Sequence, residues 1–252
     1  MKQILFISDM HCGSNVGMLP PNYHNEERDL YLTQSKAQEL LYDQWNAMCV
    51  TIGHVDCVVC NGDIVEGLNK NGGGKDILVA DVMVQCDIAR ILLRMIDTDK
   101  FIFVQGSKYH VGDNPSADEI ICTMMKGEWY GYFGDIMFDN VRFNVQHWGP
   151  YSKKNDGGFN SLISDVDQLR LDGDENDIYV KSHTHNFKYA GVSNYLVLTT
   201  PCWKTLDGFC SIKNQKRPDN GYVLFKVEGS NWTYDYSIFK VPKYFFSKFK
   251  NY

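Results

Sequence analysis

With 252 residues, 44% hydrophobic and 22% charged, the chain has the composition of a folded globular protein rather than a disordered one, and enough length for a large core. A formal net charge of −6 argues against a surface devoted to wrapping nucleic acid, though it allows a small cleft made positive by bound metal. No apolar stretch nears the roughly 18 residues of a membrane-spanning helix, so no membrane association is expected.

The opening MKQILFISDMH reads as a buried strand at 4–8 rather than a secretory leader, because acid and histidine follow the apolar run at once. Residues 12–33 form a polar excursion. Residues 34–49 place Ala37, Leu41, Gln44, Trp45 and Met48 at helical spacing. VDCVV at 55–59 reads as a second strand closed by the turn NGD. The glycine-rich NKNGGGKD at 69–76 lacks P-loop spacing; it reads as a surface turn first, with Lys75 near a phosphate as the alternative. A helix is expected over 76–96, burying Ile77, Val84, Ile88, Ile91, Leu92 and Met95, with Ala80 allowing close approach.

FIFVQG at 101–106 is a third strand, followed by a helix at about 117–126. VRFNVQH at 141–147 is a strand, then a helix near 160–169 leads to the strand DIYV at 177–180. FKYAG, NYLVLTT, YVLFKV and TYDYSIF make the remainder strand-rich. Strands separated by helices predict a layered α/β fold, and no linker divides it, so a single domain over 1–252 is expected. The basic, aromatic tail at about 240–252 reads as a solvated or packed end, with a partner-binding or homo-oligomer edge as the alternative.

Eight cysteines without an export signal predict reduced thiols and a cytoplasmic location. Cys57 and Cys60 form a CxxC, but on a strand residues three apart face opposite sides, so two buried thiols are expected rather than a metal or redox pair.

The ionisable residues gather where apolar strands stop. Asp9 and His11 follow ILFIS, Asp63 follows VDCVV, His110 follows FIFVQG, His147 ends VRFNVQ, and His183 and His185 follow DIYV. Ligands of open α/β sheets collect beyond strand carboxyl ends. On an extended backbone His183 and His185 would point the same way and reach a common centre. Any one strand-end histidine is more often a satisfied structural residue. Six of these groups in one cleft, His110 aside, are nevertheless costly unless metal or substrate compensates. His24 and His54 read as solvated loop residues.

These stretches resemble the calcineurin-like metallophosphoesterase family, whose signature runs D-x-H, GD, GNH, an isolated His, then GHxH. Here SDMH, NGDIVEG, QHWG and SHTH match in order, spanning residues 4 to about 200. The resemblance implies an α/β/β/α sandwich with mixed sheets and the metal site at strand C-terminal ends. It implies two divalent transition-metal ions, manganese first, with iron, zinc, nickel or cobalt as alternatives suited to mixed nitrogen and oxygen donors. Asp9, His11 and His185 would hold one ion and His147 and His183 the second, with Asp63 bridging. A hydroxide between the metals would attack phosphorus in line.

The pattern departs at GSKYH, where GNH is expected. Ser107 aligns with the asparagine ligand and Lys108 with the histidine. His110, two places on, would supply the missing imidazole as the general acid, and Lys108 would contact phosphate. Asn61 and Glu66 are the nearest candidates to complete the second metal's shell, although Glu66 reads first as solvated. Asn15 and Trp148 are candidate substrate contacts; for Trp148 and Trp203 alike core packing is the default, with stacking of one of them on a nucleobase as the alternative.

The resulting expectation is a dinuclear hydrolase cleaving phosphodiester bonds in a nucleotide or nucleic acid. A phosphomonoesterase acting on nucleotides or phosphoproteins shares the same core. A catalytically weak binding subunit is the reading from a different class, and GSKYH is its support.

Overall fold

The computed structural model describes residues 1–69, 73–74, 76–148, 159–192, 194–206 and 217–241. Residues 70–72 and Lys75 of the glycine-rich turn, Cys210, and the tail from 242 onward lie outside the described residues. Two mixed sheets pack face to face. In the first the order is β13 (Asn231–Phe239), β12 (Asn220–Glu228), β1 (Lys2–Ile7), β4 (Cys57–Asn61), β5 (Phe101–Val104) and β6 (Glu128–Trp129). The second runs β10 (Lys188–Val192), β11 (Tyr195–Thr199), β9 (Ile178–Lys181), β8 (Val141–Gln146) and β7 (Phe133–Phe138). The excursion after β1 carries a small hairpin, β2 (Tyr23–Asn25) with β3 (Leu30–Leu32).

Each sheet has a parallel centre. β1, β4 and β5 run parallel, as do β8, β9 and β11, while the outer partners β12, β13, β7 and β10 are antiparallel. Strand alternation divides the apolar residues between layers. Ile4 and Phe6 of β1 enter the core between the sheets, whereas Leu5 and Ile7 face the helix layer. Cys57 and Cys60 divide in the same way, Cys57 between the sheets and Cys60 under the helices, and burial raises both thiols, Cys57 to about 12. The predicted opposite facing holds, and both cysteines are free thiols.

Helices α1 (Lys36–Ile52), α2 (Val82–Leu93) and α4 (Ala117–Met125) cover the first sheet, and α5 (Phe159–Leu171) covers the second through Leu162 and Val166. The result is the expected α/β/β/α layering. A reciprocal capping box between Ser35 and Gln38 starts α1, and Leu41, Trp45 and Met48 form its buried stripe. Ala37 lies at the edge of that stripe, half-buried.

Helix α2 is shorter than predicted. Asp81 caps it by accepting from the Met83 and Val84 N–H groups, and the backbones of Leu78 and Val79 are spent on the carbonyl of Gly13. Ile77 therefore tethers the loop after β1 and does not begin a helix; Ala80 is exposed. β6, β7 and the short helix α3 (Lys108–Val111) were not expected from the sequence. Among the described residues no helix is long and apolar enough to cross a membrane.

Aromatic rings knit the two sheets together. Phe143 of β8 stacks on Phe6 at 5.7 Å and meets Phe225 edge-on at 5.2 Å and Phe138 at 5.6 Å. Such pairs add about 0.5–1.5 kcal/mol each beyond simple burial. Phe143→Ala is expected to destabilise the fold by about 3–5 kcal/mol. The loss should appear as a lower urea midpoint at unchanged slope; a cost under about 1 kcal/mol would place the inter-sheet packing elsewhere.

Candidate metal centre

The parallel strands all stop at the same edge, and each hands its polar turn to one cleft. Asp9 and His11 follow β1, Asp63 follows β4, Ser107 and His110 follow β5, His147 follows β8, and His183 and His185 follow β9. Backbone hydrogen bonds tie these turns together: Asp9 N–H to the Gly62 carbonyl, His11 N–H to Asp63, Ser182 N–H to His147, and Trp203 N–H to Asp9.

Five of the six expected metal ligands sit in the left-handed backbone region: Asp9 (φ 52°), His11 (47°), Asp63 (51°), His183 (67°) and His185 (56°). For residues other than glycine this costs of order 1–3 kcal/mol each and persists only where the surroundings impose it. Two glycines permit the approach. A Cβ on Gly62 would lie 2.5 Å from the Cα of Gly106, and one on Gly106 would lie 2.2 Å from the backbone nitrogen of Asp63.

The six side chains form two groups of three: Asp9 with His11 and His185, and Asp63 with His147 and His183. In the first, His11 Nε2 faces His185 Nε2 at 3.2 Å, and Asp9 Oδ1 lies 3.2 Å from His185 and 3.9 Å from His11. In the second, His147 Nε2 lies 3.3 Å from His183 Nδ1 and 2.9 Å from Asp63 Oδ2. His183 and His185 thus serve different groups. The extended-strand expectation of one common centre fails because β9 ends at Lys181 and both histidines leave the extended region.

The groups adjoin, since Asp9 Oδ1 also lies 3.9 Å from His147 Nε2. Asp9 is therefore the carboxylate whose oxygen reaches histidines of both groups, while Asp63 lies within the second.

These donors fit divalent transition metals. Ligands held about 2.0–2.2 Å from one ion stand roughly 3 Å apart, which is the spacing between the paired imidazole nitrogens. Asp9 Oδ1 is buried and accepts no hydrogen bond. The second nitrogens are occupied from behind. His147 Nδ1–H donates to the Asn61 carbonyl at 2.7 Å, and His11 Nδ1 lies 2.8 Å from Glu66 Oε2, off the ideal hydrogen-bond line. Partners of this kind fix which nitrogen faces a metal.

The charges compensate one another even without a cation. Burial acts to lower the His147 pKa, but Asp63 and Asp9 outweigh it and carry it up to about 10. Asp63, against its own burial, is held well below the usual carboxylate range by His147 and then His110, and Asp9 is lowered by His147 and His185. Burial, followed by the nearby Lys204 ammonium, keeps His11 well below its usual value and therefore neutral.

The other sequence candidates divide. His110 stands edge-on to His11 at 4.5 Å, with Nδ1 2.8 Å from the Glu66 carbonyl. Trp148 is 53% exposed and lies 4.3 Å from the His183 ring. Lys108 is turned to Asp113 at 2.7 Å and lies over Tyr132, and its contacts include no residue of the two groups. Asn15 sits in the loop after His11 with a buried side-chain oxygen that accepts no hydrogen bond. Trp203 is core, packed edge-on against Trp45. His24 and His54 are exposed, although His24 lies on β2 rather than in a loop.

Ser107 does not mimic an asparagine ligand. Its hydroxyl bonds both oxygens of Asp63 at 3.0 Å, and its N–H donates to Asp63 Oδ1 at 2.7 Å. Glu66, expected to be solvated, is fully buried against His11, Lys204 and Asn69. Sequence reasoning also missed Asp118, which accepts from the N–H groups of Ile64 and Gly106 and so joins the turns after β4 and β5; burial, then Asp63, raises it to about 7. A glutamate three residues after the GD turn was the available signal for Glu66. Nothing local marks Lys204 or Asp118.

No family model and no curated protein matches this chain. Among solved structures it is similar to wild-type Vps29 complexed with zinc from Entamoeba histolytica, at 14% identity and a TM-score of 0.44, covering 94% of this chain and 99% of that one. It is also similar to vacuolar protein sorting 29 from Cryptosporidium parvum (14%, TM-score 0.46, 95% and 98% covered). A third similar structure is a novel archaeal phosphodiesterase (13%, TM-score 0.46, 93% and 99% covered).

Two outcomes test the centre. Asp63→Asn should lower bound Mn²⁺, measured by elemental analysis after chelation and reloading; unchanged metal content would remove Asp63 from the site. Gly106→Ala should push Asp63 from its place and reduce metal uptake in the same assay while the protein stays folded by circular dichroism. Full uptake by this variant would show that the tight glycine contact is dispensable.

Proposed function

We propose that this chain is a two-metal phosphoesterase of the calcineurin-like type, hydrolysing a phosphodiester in a nucleotide or nucleic acid. The observation that carries this reading is the pair of adjoining, deeply placed carboxylate–imidazole groups at the strand ends. Two divalent transition-metal ions, manganese first among them, would activate water and neutralise phosphoryl charge when bound. Asp9, His11 and His185 would hold one ion and Asp63, His147 and His183 the other, with Asp9, whose Oδ1 reaches histidines of both groups, between them.

The protein's own side chains supply the rest. His110 is the proposed proton donor to the leaving oxygen: its Nδ1–H donates to the Glu66 carbonyl, so Nε2 is the nitrogen that would hand over the second proton of the imidazolium form. Trp148 offers a half-exposed ring beside His183 on which a base can stack. Asn15 is a candidate substrate contact. Lys108, paired with Asp113, would act on phosphate only by leaving that partner.

A second reading, a catalytically weak binding subunit, is favoured by the GSKYH turn. The Ser107 hydroxyl is spent on Asp63, so the position aligned with the family's asparagine offers the second group no amide carbonyl. The similar structures carry both kinds of name, sorting proteins and a phosphodiesterase, and favour neither reading.

The Mn²⁺-loaded protein should hydrolyse bis-p-nitrophenyl phosphate and leave p-nitrophenyl phosphate largely intact. Turnover of the monoester alone would move the assignment to a phosphomonoesterase, and two bound metals with no turnover to the binding subunit. His110→Ala should slow a diester with an alkoxide leaving group by about 10²–10⁴-fold, the usual worth of a general acid, and an activated aryl ester far less. Equal losses on both would rule His110 out as the acid.

A further inference from the structure

Lys204 lies after β11 with its side chain 4% exposed and its ammonium 3.2 Å from Glu66 Oε2. An ammonium is expensive to bury, and one kept this close to a proposed cation site needs a reason. The surroundings supply one. Glu66 Oε2 also faces His11 Nδ1 at 2.8 Å, while Oε1 accepts from Asn69 Nδ2 at 2.8 Å, and Asn69 in turn accepts from the Tyr109 hydroxyl. Both oxygens of the carboxylate are thus anchored.

His11, Glu66 and His110 also bring three donor atoms within 4.8 Å of one another, the spacing of a further cation site. The Lys204 ammonium stands at that group, so the protein brings a cation of its own. We propose that Lys204 is a positioning residue: by holding Glu66 against His11 Nδ1, it aims His11 Nε2 at Asp9 and His185.

The argument is one of charge and geometry. Glu66 shares its interior with the carboxylates of Asp9 and Asp63, and only a fixed positive charge makes a third buried carboxylate affordable beside them. With Lys204 neutralised, Glu66 keeps the Asn69 anchor on Oε1 and loses the ammonium on Oε2, the oxygen that faces the histidine. The imidazole then turns without a backstop. Outer partners of ligating histidines are worth about 10–100-fold in metal affinity. This inference rests on the two-metal reading above.

The test uses Co²⁺ titrated into chelator-treated full-length protein, followed by visible absorption and by competition with a chromophoric chelator. Native protein should bind two ions. Lys204→Met should weaken one of them by about 10–100-fold and alter the cobalt spectrum, Glu66→Gln should do the same, and the double variant should be no weaker than the weaker single one. A Lys204→Met protein with a native spectrum and affinity overturns the proposal, even if it melts earlier, because that is the behaviour of a purely structural lysine. Independent, multiplying losses in the double variant overturn it too.

If Lys204→Met alone fails to fold by circular dichroism, the double variant, which removes both charges of this pair, is compared with Glu66→Gln. Equal cobalt binding supports the proposal, and a further loss overturns it. Native protein that takes up no cobalt overturns the two-metal reading together with this one. Native protein that binds two ions beside an unchanged Lys204→Met overturns the role of Lys204 alone.

Discussion

Carboxylates and imidazoles buried at one edge of two packed sheets set the terms for the rest of the molecule. Asp9, Asp63 and Glu66 are fully buried, and no fold of this size keeps three such groups inside without matching positive charge. The protein supplies part of that compensation itself, through the His147 imidazole between Asp63 and Asp9 and through Lys204 against Glu66. Two cations would supply it more completely. The backbone accepts a matching cost, with five of the six ligand positions in the left-handed region and two glycines pressed together beneath them.

The layered fold is what makes that concentration of charge possible. Parallel strands send their carboxyl ends to one edge, and the antiparallel partners lie outside them. The aromatic core around Phe6, Phe143 and Phe225 fixes the two sheets against each other. The turn after β4 and the turn after β8 consequently meet at the distances that bring Asp63 to His147. Rigid elements with short polar turns are a sound base for a preorganised site.

Much of this was legible in the chain. Apolar runs followed at once by Asp, His or Gly announced strand ends, and the parity of Cys57 and Cys60 announced their opposite faces. Other features were hidden for physical reasons. Strand β7 exposes Phe133 and Met137 on its outer face, so it lacks the polar alternation of a half-buried strand. The expected start of α2 was displaced because the backbone of Leu78 and Val79 found a better partner in Gly13. The rule for extended chains holds only as far as the end of β9 at Lys181, and His183 and His185 lie beyond it.

The sequence by itself determined which residue types stand at the strand ends and which faces of the strands are apolar, because both are local consequences of covalent order and alternation. Only the tertiary structure decided which partners those residues meet. It set Asp63 beside His147 and His183 in the second group, turned Lys108 to Asp113 and Ser107 to Asp63, and buried Glu66 against a lysine 138 positions away. Such choices depend on neighbours brought from distant segments, and no local pattern encodes the partner that a buried charge will find.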